Sequence, residues 1–247
     1  KPAFEKEKQF ILSNRFIKIF GNHDLYWQND PLAQFQLKDI YSCNVPIYEG
    51  ALLQMKIERD TFNIFCTHGH QGDKMSDGNW FSKFFVSKIW APLQSLLKIN
   101  PNTPANDNQL KTLHNSIMYD WSCEQKELLL ITGHTHQPVF ESLTHIERLY
   151  SKLLYARKQK DQKAINDLQD QIKITKMEYD HVSENYLSMK PSYFNSGCCC
   201  FNDGDITGIE IEGGKIRLIQ WHSKQSSPQR IILEEESLTK LFNNLKS

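Results

Sequence analysis

The chain has 247 residues, enough for one large domain or for a core with a smaller attached element. Its 29 basic and 29 acidic side chains cancel, which argues against a general nucleic-acid coat or an anionic-membrane binder, although a local patch can hide inside a neutral total. With 39% hydrophobic residues it can bury a substantial core.

From the amino terminus, Lys1-Pro2-Ala3-Phe4 leads into a charged helical stretch rather than the apolar run of a signal peptide. No initiator Met is present, and the natural start is expected to lie upstream. Phe4, Phe10 and Ile11 among Glu5, Lys6, Glu7 and Lys8 predict the end of an amphipathic helix over 3–13. Phe16, Ile17, Ile19 and Phe20 predict a strand over 15–20 that stops at Gly21-Asn22-His23-Asp24. A second strand, 61–66, ends at Thr67-His68-Gly69-His70, and a third, 128–131, ends at Thr132-Gly133-His134-Thr135-His136.

This recurrence is the most informative feature. In layered α/β folds, chemistry collects beyond the carboxyl ends of strands, where loops from neighbouring strands converge. One histidine-bearing strand end reads as an ordinary turn; three together point to one site.

Two regions depart from the core pattern. Between the second and third strands, Trp80, Phe81, Phe84, Phe85, Ile89, Trp90, Leu93, Leu96 and Leu97 recur at helical spacing, with Pro92 breaking any single straight helix. The stretch is too interrupted for a membrane span, which needs about 20 nearly continuous apolar residues. It predicts a helical lid within an insertion over 74–123, whose aromatics either pack on the core or line a groove for an acyl chain or a base. After the third strand, residues 143–190 contain neither glycine nor proline up to Met189, and carry apolar stripes broken at Arg157-Lys158-Gln159-Lys160-Asp161. A helical hairpin is expected there, structural in role or a homo-oligomer contact.

Downstream come Phe194-Asn195-Ser196-Gly197 and a run of three cysteines, Cys198 to Cys200. The six cysteines are read as reduced and mostly buried, in a cytoplasmic protein. A thiolate metal site is the sharper alternative, open at most to Cys198 and Cys200. Strands over 206–211 and 215–221, joined through Glu212-Gly213-Gly214, form a strong hairpin signal. Residues 231–233 add a further strand and 238–245 a terminal helix.

Imidazoles two residues apart at His134 and His136 can bind adjacent cations from an extended loop or a tight turn, with Gly133 expected to let the backbone bend. His68 offers a third imidazole and Asn22 an amide oxygen. Nitrogen and oxygen donors of this kind suit Mn, Fe, Zn or Co. Four neutral ligands are a thin shell for two divalent ions, so carboxylates are expected from another segment. Asp24 and Asp73 are near in sequence, without an obvious bridging position.

Gly21-Asn22-His23-Asp24, Thr67-His68-Gly69-His70 and Gly133-His134-Thr135-His136 resemble the last three signature blocks of the calcineurin-like metallophosphoesterases, in the family's order. Phe194-Asn195-Ser196-Gly197 resembles the Asn-x-Gly segment that follows them. The resemblance implies an α/β (α+β) fold: a four-layer double β-sandwich flanked by helices, here one domain over 1–247 that is incomplete at its amino end. It implies two divalent ions, one held by Asn22, His68 and His134 and the other helped by His136, and a two-metal-activated water that hydrolyses a phosphoester or pyrophosphate. His23 would contact phosphate or protonate the leaving oxygen, while His70, Asp73 and Trp80 would stand at the substrate rim. The family's Asp-x-His and Gly-Asp-x-x-Asp blocks are absent from this sequence. They are expected upstream, and without them the chain alone is expected to be inactive. The expected substrate is a small phosphorylated, nucleotide- or lipid-linked compound, with peripheral membrane contact in the lipid case. Two other readings stand beside it: a nucleic-acid phosphodiesterase, which needs a basic track beside the metals, and a non-catalytic metal-binding scaffold subunit.

Overall fold

A computed structural model of the chain describes residues 2–22, 27, 32–57, 60–70, 108–176, 179, 182–183, 185–199, 204–222 and 227–246. In chain order they form α1 (Pro2–Leu12), β1 (Lys18–Ile19), α2 (Ala33–Tyr41), β2 (Ile47–Tyr48), β3 (Gly50–Ile57), β4 (Asp60–Thr67) and α3 (Asn108–Glu124). Then follow β5 (Leu128–Thr132), β6 (Val139–Phe140), β7 (Leu143–Thr144), α4 (His145–Gln159), α5 (Gln162–Thr175), β8 (Tyr193–Asn195), β9 (Ile206–Glu212), β10 (Lys215–His222), β11 (Gln229–Ser237) and α6 (Leu238–Lys246).

The fold is mixed α/β around a six-stranded sheet of order β3-β4-β5-β8-β6-β7. The central neighbours β4, β5 and β8 run parallel, and the flanking pairs are antiparallel. Side chains alternate across the central strands, so each face needs a cover. On one face, Phe62, Ile64, Leu129, Phe140 and Phe194 pack against Ile216 and Leu218 of a three-stranded antiparallel sheet (β11-β10-β9), and against Leu238, Leu241, Phe242 and Leu245 of α6. On the other face, Leu130, Val139 and Tyr193 meet Ile117 and Met118 of α3. Burial on both faces explains the unbroken apolar run of β5.

The β9–β10 hairpin turns on Gly213 and Gly214, whose φ values of 58° and 73° are those of a two-residue turn that only glycine adopts freely. The strand expected over 15–20 is shorter: β1 pairs only with two-residue β2, in parallel, and Ile17 is exposed. Phe20 extends the contact by donating its N–H to Tyr48 O at 3.0 Å. Beneath this pair, Leu37, Tyr41 and Val45 pack with Ile11, Phe16 and Ile47, and the Tyr41 hydroxyl bonds Glu7 of α1.

Helices α4 and α5 reverse direction at Lys160, which takes a left-handed conformation, and Asp161 then caps α5 through Ala164 N–H. Glu147 fastens the base of the pair. Its Oε2 accepts from Thr144 N–H and Oγ1 at the start of α4, and its Oε1 accepts from Ser183 N–H at 2.9 Å. Of the expected 74–123 insertion, residues 74–107 lie outside the described residues; the described remainder is α3 and its flank. Five cysteines are described, all free of disulfides; Cys198 alone of these is buried, three are half-buried and Cys199 is exposed, a correction to the expectation of mostly buried thiols. Among the described residues, no helix is long and apolar enough to cross a membrane.

Phe62 and Phe242 stack at 4.0 Å between centroids where β4 meets α6, and both are buried. Phe62→Ala is expected to destabilise the fold by about 3–5 kcal/mol, read by urea denaturation. A loss under about 1 kcal/mol would show that this contact is not part of the core.

Candidate metal centre

Strands β4 and β5 are parallel neighbours, so their carboxyl ends lie side by side, and there the chain places its imidazoles. His68 follows β4 directly and His134 follows β5 by one residue, tied by Gly133 N–H donating to His68 O at 3.0 Å. Their ring centroids are 5.3 Å apart. His70 lies 5.4 Å from His68 and is buried beside Phe20.

Asn22, just past β1, joins this group: its Oδ1 is 3.1 Å from His68 Nε2. Ligands that share one ion at about 2.1 Å stand about 3.0–3.4 Å apart, so this pair has the spacing of two donors to one cation. The approach depends on Gly21, since a Cβ there would lie 2.7 Å from His68 Nε2 and Cε1. Gly69, with φ of 94°, is similarly pressed against the Thr132 side chain.

The turn after β5 is bent differently from the expectation. A Cβ on Gly133 would make only ordinary contacts, whereas His134 and His136 take left-handed φ values of 68° and 58°. Each such residue costs about 1–2 kcal/mol, so the surroundings must hold the turn. They do so through a buried polar network centred on Asn195, at the end of β8. Asn195 Nδ2 donates to Gly133 O at 2.7 Å and lies 3.1 Å from the hydroxyls of Thr132, Thr135 and Tyr193. Its Oδ1 accepts from Gly197 N–H at 2.9 Å. Asn115 of α3 accepts from Thr135 Oγ1 and Tyr193 Oη and donates to Gln137 Oε1. Gly197 admits no side chain, because a Cβ would fall 2.1 Å from Thr207 Oγ1.

One participant was not legible in the sequence reading. His114 of α3 is buried, bonds Gly69 O through Nε2, and lies 5.0 Å from His134 between ring centroids. Its signal was a polar residue on the apolar stripe Leu110, Leu113, Ile117, Trp121. His136, by contrast, turns its Nδ1 to Cys198 Sγ at 3.3 Å. The other sequence candidates, His23, Asp24, Asp73 and Trp80, lie outside the described residues, as does Cys200.

Two of these imidazoles are held in the neutral form. Burial, reinforced by the neighbouring imidazoles, pushes His134 down to about 2 and His70 down to about 4. Both are neutral near pH 7, the form that ligates metals. His134 Nε2 and His70 Nδ1 are buried with no hydrogen-bond partner among the described residues. A buried nitrogen left so costs about 1–3 kcal/mol, which a bound cation would relieve. Among the described residues, no three His, Cys, Asp or Glu side chains converge into a complete site. Among the described residues the donors therefore fit part of a metal shell, with an amide oxygen and imidazoles.

The model of the calcineurin-like phosphoesterases matches residues 2–138, more than half of the chain. The chain belongs to this family of phosphoesterase hydrolases, which generally use divalent metal ions. No curated relative matches it significantly.

Two outcomes follow. Gly21→Ala should displace the His68 ring and weaken Mn2+ binding by roughly 10–100-fold in calorimetry, with little change in thermal stability; unchanged affinity would remove Asn22 and His68 as partners. Because His70 and His134 have folded values below their ordinary 6.5, the unfolded chain takes up more protons as acid is added. Metal-free protein should therefore keep its stability above about pH 6.5 and lose it progressively toward pH 4. A denaturation midpoint that stays flat from neutral pH down to about pH 5 would contradict the buried neutral cluster.

Proposed function

We propose that this chain carries part of a dinuclear centre that hydrolyses a phosphoester or pyrophosphate bond. The observation that carries the reading is His134 Nε2, buried and without a partner among the described residues, beside an Asn22–His68 pair at ligand spacing. In this reading Asn22, His68 and His134 hold one divalent ion, Mn, Fe, Zn or Co, and His136 helps to hold a second. Bound divalent ions of this kind supply Lewis acidity and a nucleophilic water at neutral pH.

The chain's own residues do the positioning. Asn195 and Asn115 fix the turn that carries His134 and His136, and the Thr135 hydroxyl, fully buried, links them. Cys198 helps to orient His136 through Nδ1. His23, next to Asn22 in sequence, would contact phosphate or pass a proton to the leaving oxygen, and His70, Asp73 and Trp80 would serve the substrate rim. The choice between a nucleotide- and a lipid-linked substrate turns on the aromatic segment 80–99. The carboxylates that two divalent ions call for would have to join these donors from outside the described cluster.

The test uses the full-length protein with p-nitrophenyl phosphate and bis(p-nitrophenyl) phosphate. Turnover of at least one ester should fall roughly 100-fold or more on chelation and return with Mn2+, and His134→Ala should lose a comparable factor. Activity that survives exhaustive chelation would defeat the proposal.

A further inference from the structure

A cavity of about 720 Å3 is bounded by the α4–α5 pair and the β9–β11 sheet. Its size falls within the range of small-molecule sites. His136, Gln137 and Pro138 form one wall, so the cavity adjoins the turn that carries the candidate metal ligands.

The charges in its wall do not balance. Arg148 and Lys152, one helical turn apart on α4, both bind the single carboxylate of Glu234 on β11, at 3.1 Å from Arg148 Nε and 2.7 Å from Lys152 Nζ. Arg148 is only 6% exposed. Its Nη1 donates to Leu143 O at 2.6 Å, and its Nη2 has no hydrogen-bond partner among the described residues. His145 shares the wall, held below its ordinary value by burial and by Arg148. Within the lining two permanent cations face one carboxylate, with Glu147 adding a second negative charge near Arg148 from outside it; what the cavity offers an anion is the remaining donors, Arg148 Nη2 and the half-exposed Lys152. The rest of the lining includes Leu149, Leu168 and Leu218, with Gln171 and Gln220. The lining thus combines anion-seeking groups, apolar side chains and a wall shared with the turn that carries His134 and His136.

We infer that this cavity receives the organic part of the substrate, and that Arg148 and Lys152 recognise a second acidic group on it, a carboxylate or a phosphate remote from the scissile bond. The inference rests on the proposed metal-dependent hydrolysis and names its substrate class: an amphipathic phosphoester with two anionic ends. Arg148 supplies the fixed donor, since its other nitrogens are already committed to Leu143 and Glu234. Lys152, half-exposed, supplies an adjustable charge at the mouth.

Binding rather than turnover tests it. Calorimetry on the chain would compare ω-carboxyalkylphosphonates of increasing length with their ω-methyl counterparts, with and without Mn2+. At the matching length, the carboxylate should tighten binding by roughly 10-fold or more, and Lys152→Ala should reduce that advantage to about threefold or less. Because Arg148→Met could disturb the Glu234 contact, Arg148→Met combined with Glu234→Gln serves as the second variant and should abolish the advantage. Equal affinity of the carboxylate and methyl series at every length overturns the inference, even where Mn2+ strengthens binding of both. A carboxylate advantage that Mn2+ leaves unchanged supports the cavity while removing the metal-centred reading beside it. Loss of the advantage in neither variant also overturns the assignment to Arg148 and Lys152.

Discussion

The site depends on one buried carboxamide. Asn195 sits at the end of β8 with no solvent exposure, and its two N–H protons face four oxygens of the β5 end and of Tyr193. One proton is committed to Gly133 O; the other is shared among three hydroxyls that can reorient to accept it. This keeps the residues after β5 in a turn that two histidines would not adopt unaided. Removing the carboxamide would leave a buried carbonyl and several hydroxyls short of a partner, and the left-handed conformations of His134 and His136 would lose their support. The strand order places β8 directly beside β5, so this clamp is a consequence of sheet topology.

A second constraint is electrostatic. His68, His70, His114 and His134 crowd together at ring separations of 5.0 to 5.4 Å, and protonation of His70 and His134 is opposed both by desolvation and by the neighbouring imidazoles. Buried nitrogens left without a partner among the described residues, His134 Nε2 and His70 Nδ1, are costly to keep for packing alone. That cost falls when a cation sits among the donors. His114 shows how the pieces are divided. It spends Nε2 on Gly69 O, which steadies the loop between His68 and His70, and so supports the cluster from the helix side.

What the sequence made legible follows from which signals are local. The end of β5 could be read because burial on both faces makes it a continuous apolar run with an abrupt polar end, and that of β4 because Phe62, Ile64, Phe65 and Cys66 give way to Thr67-His68-Gly69-His70. The β9–β10 hairpin was readable from Gly213-Gly214, a demand set by φ alone. Strand β3 was not, because it lies at the sheet edge and exposes the adjacent Leu52 and Leu53, which spoils any alternation. The extent of β1 was overstated because strand length is set by the partner, and β2 is two residues long. Within the site, Asn22, His68, His134 and His136 were candidates by loop position. His114 was hidden on a helix, and the role expected of Gly133 belongs instead to the backbone of the two histidines. Asn195 was visible only as part of a motif; its hydrogen bonds are long-range and had no trace in spacing.

The central claim is that Asn22, His68 and His134 share one cation. Anomalous diffraction at the manganese edge from crystals of the chain grown with Mn2+ tests it directly. The account predicts a peak within about 2.1–2.4 Å of Asn22 Oδ1, His68 Nε2 and His134 Nε2 together. A peak bound elsewhere, or none at saturating Mn2+ while His134 Nε2 remains buried against carbon, would contradict it.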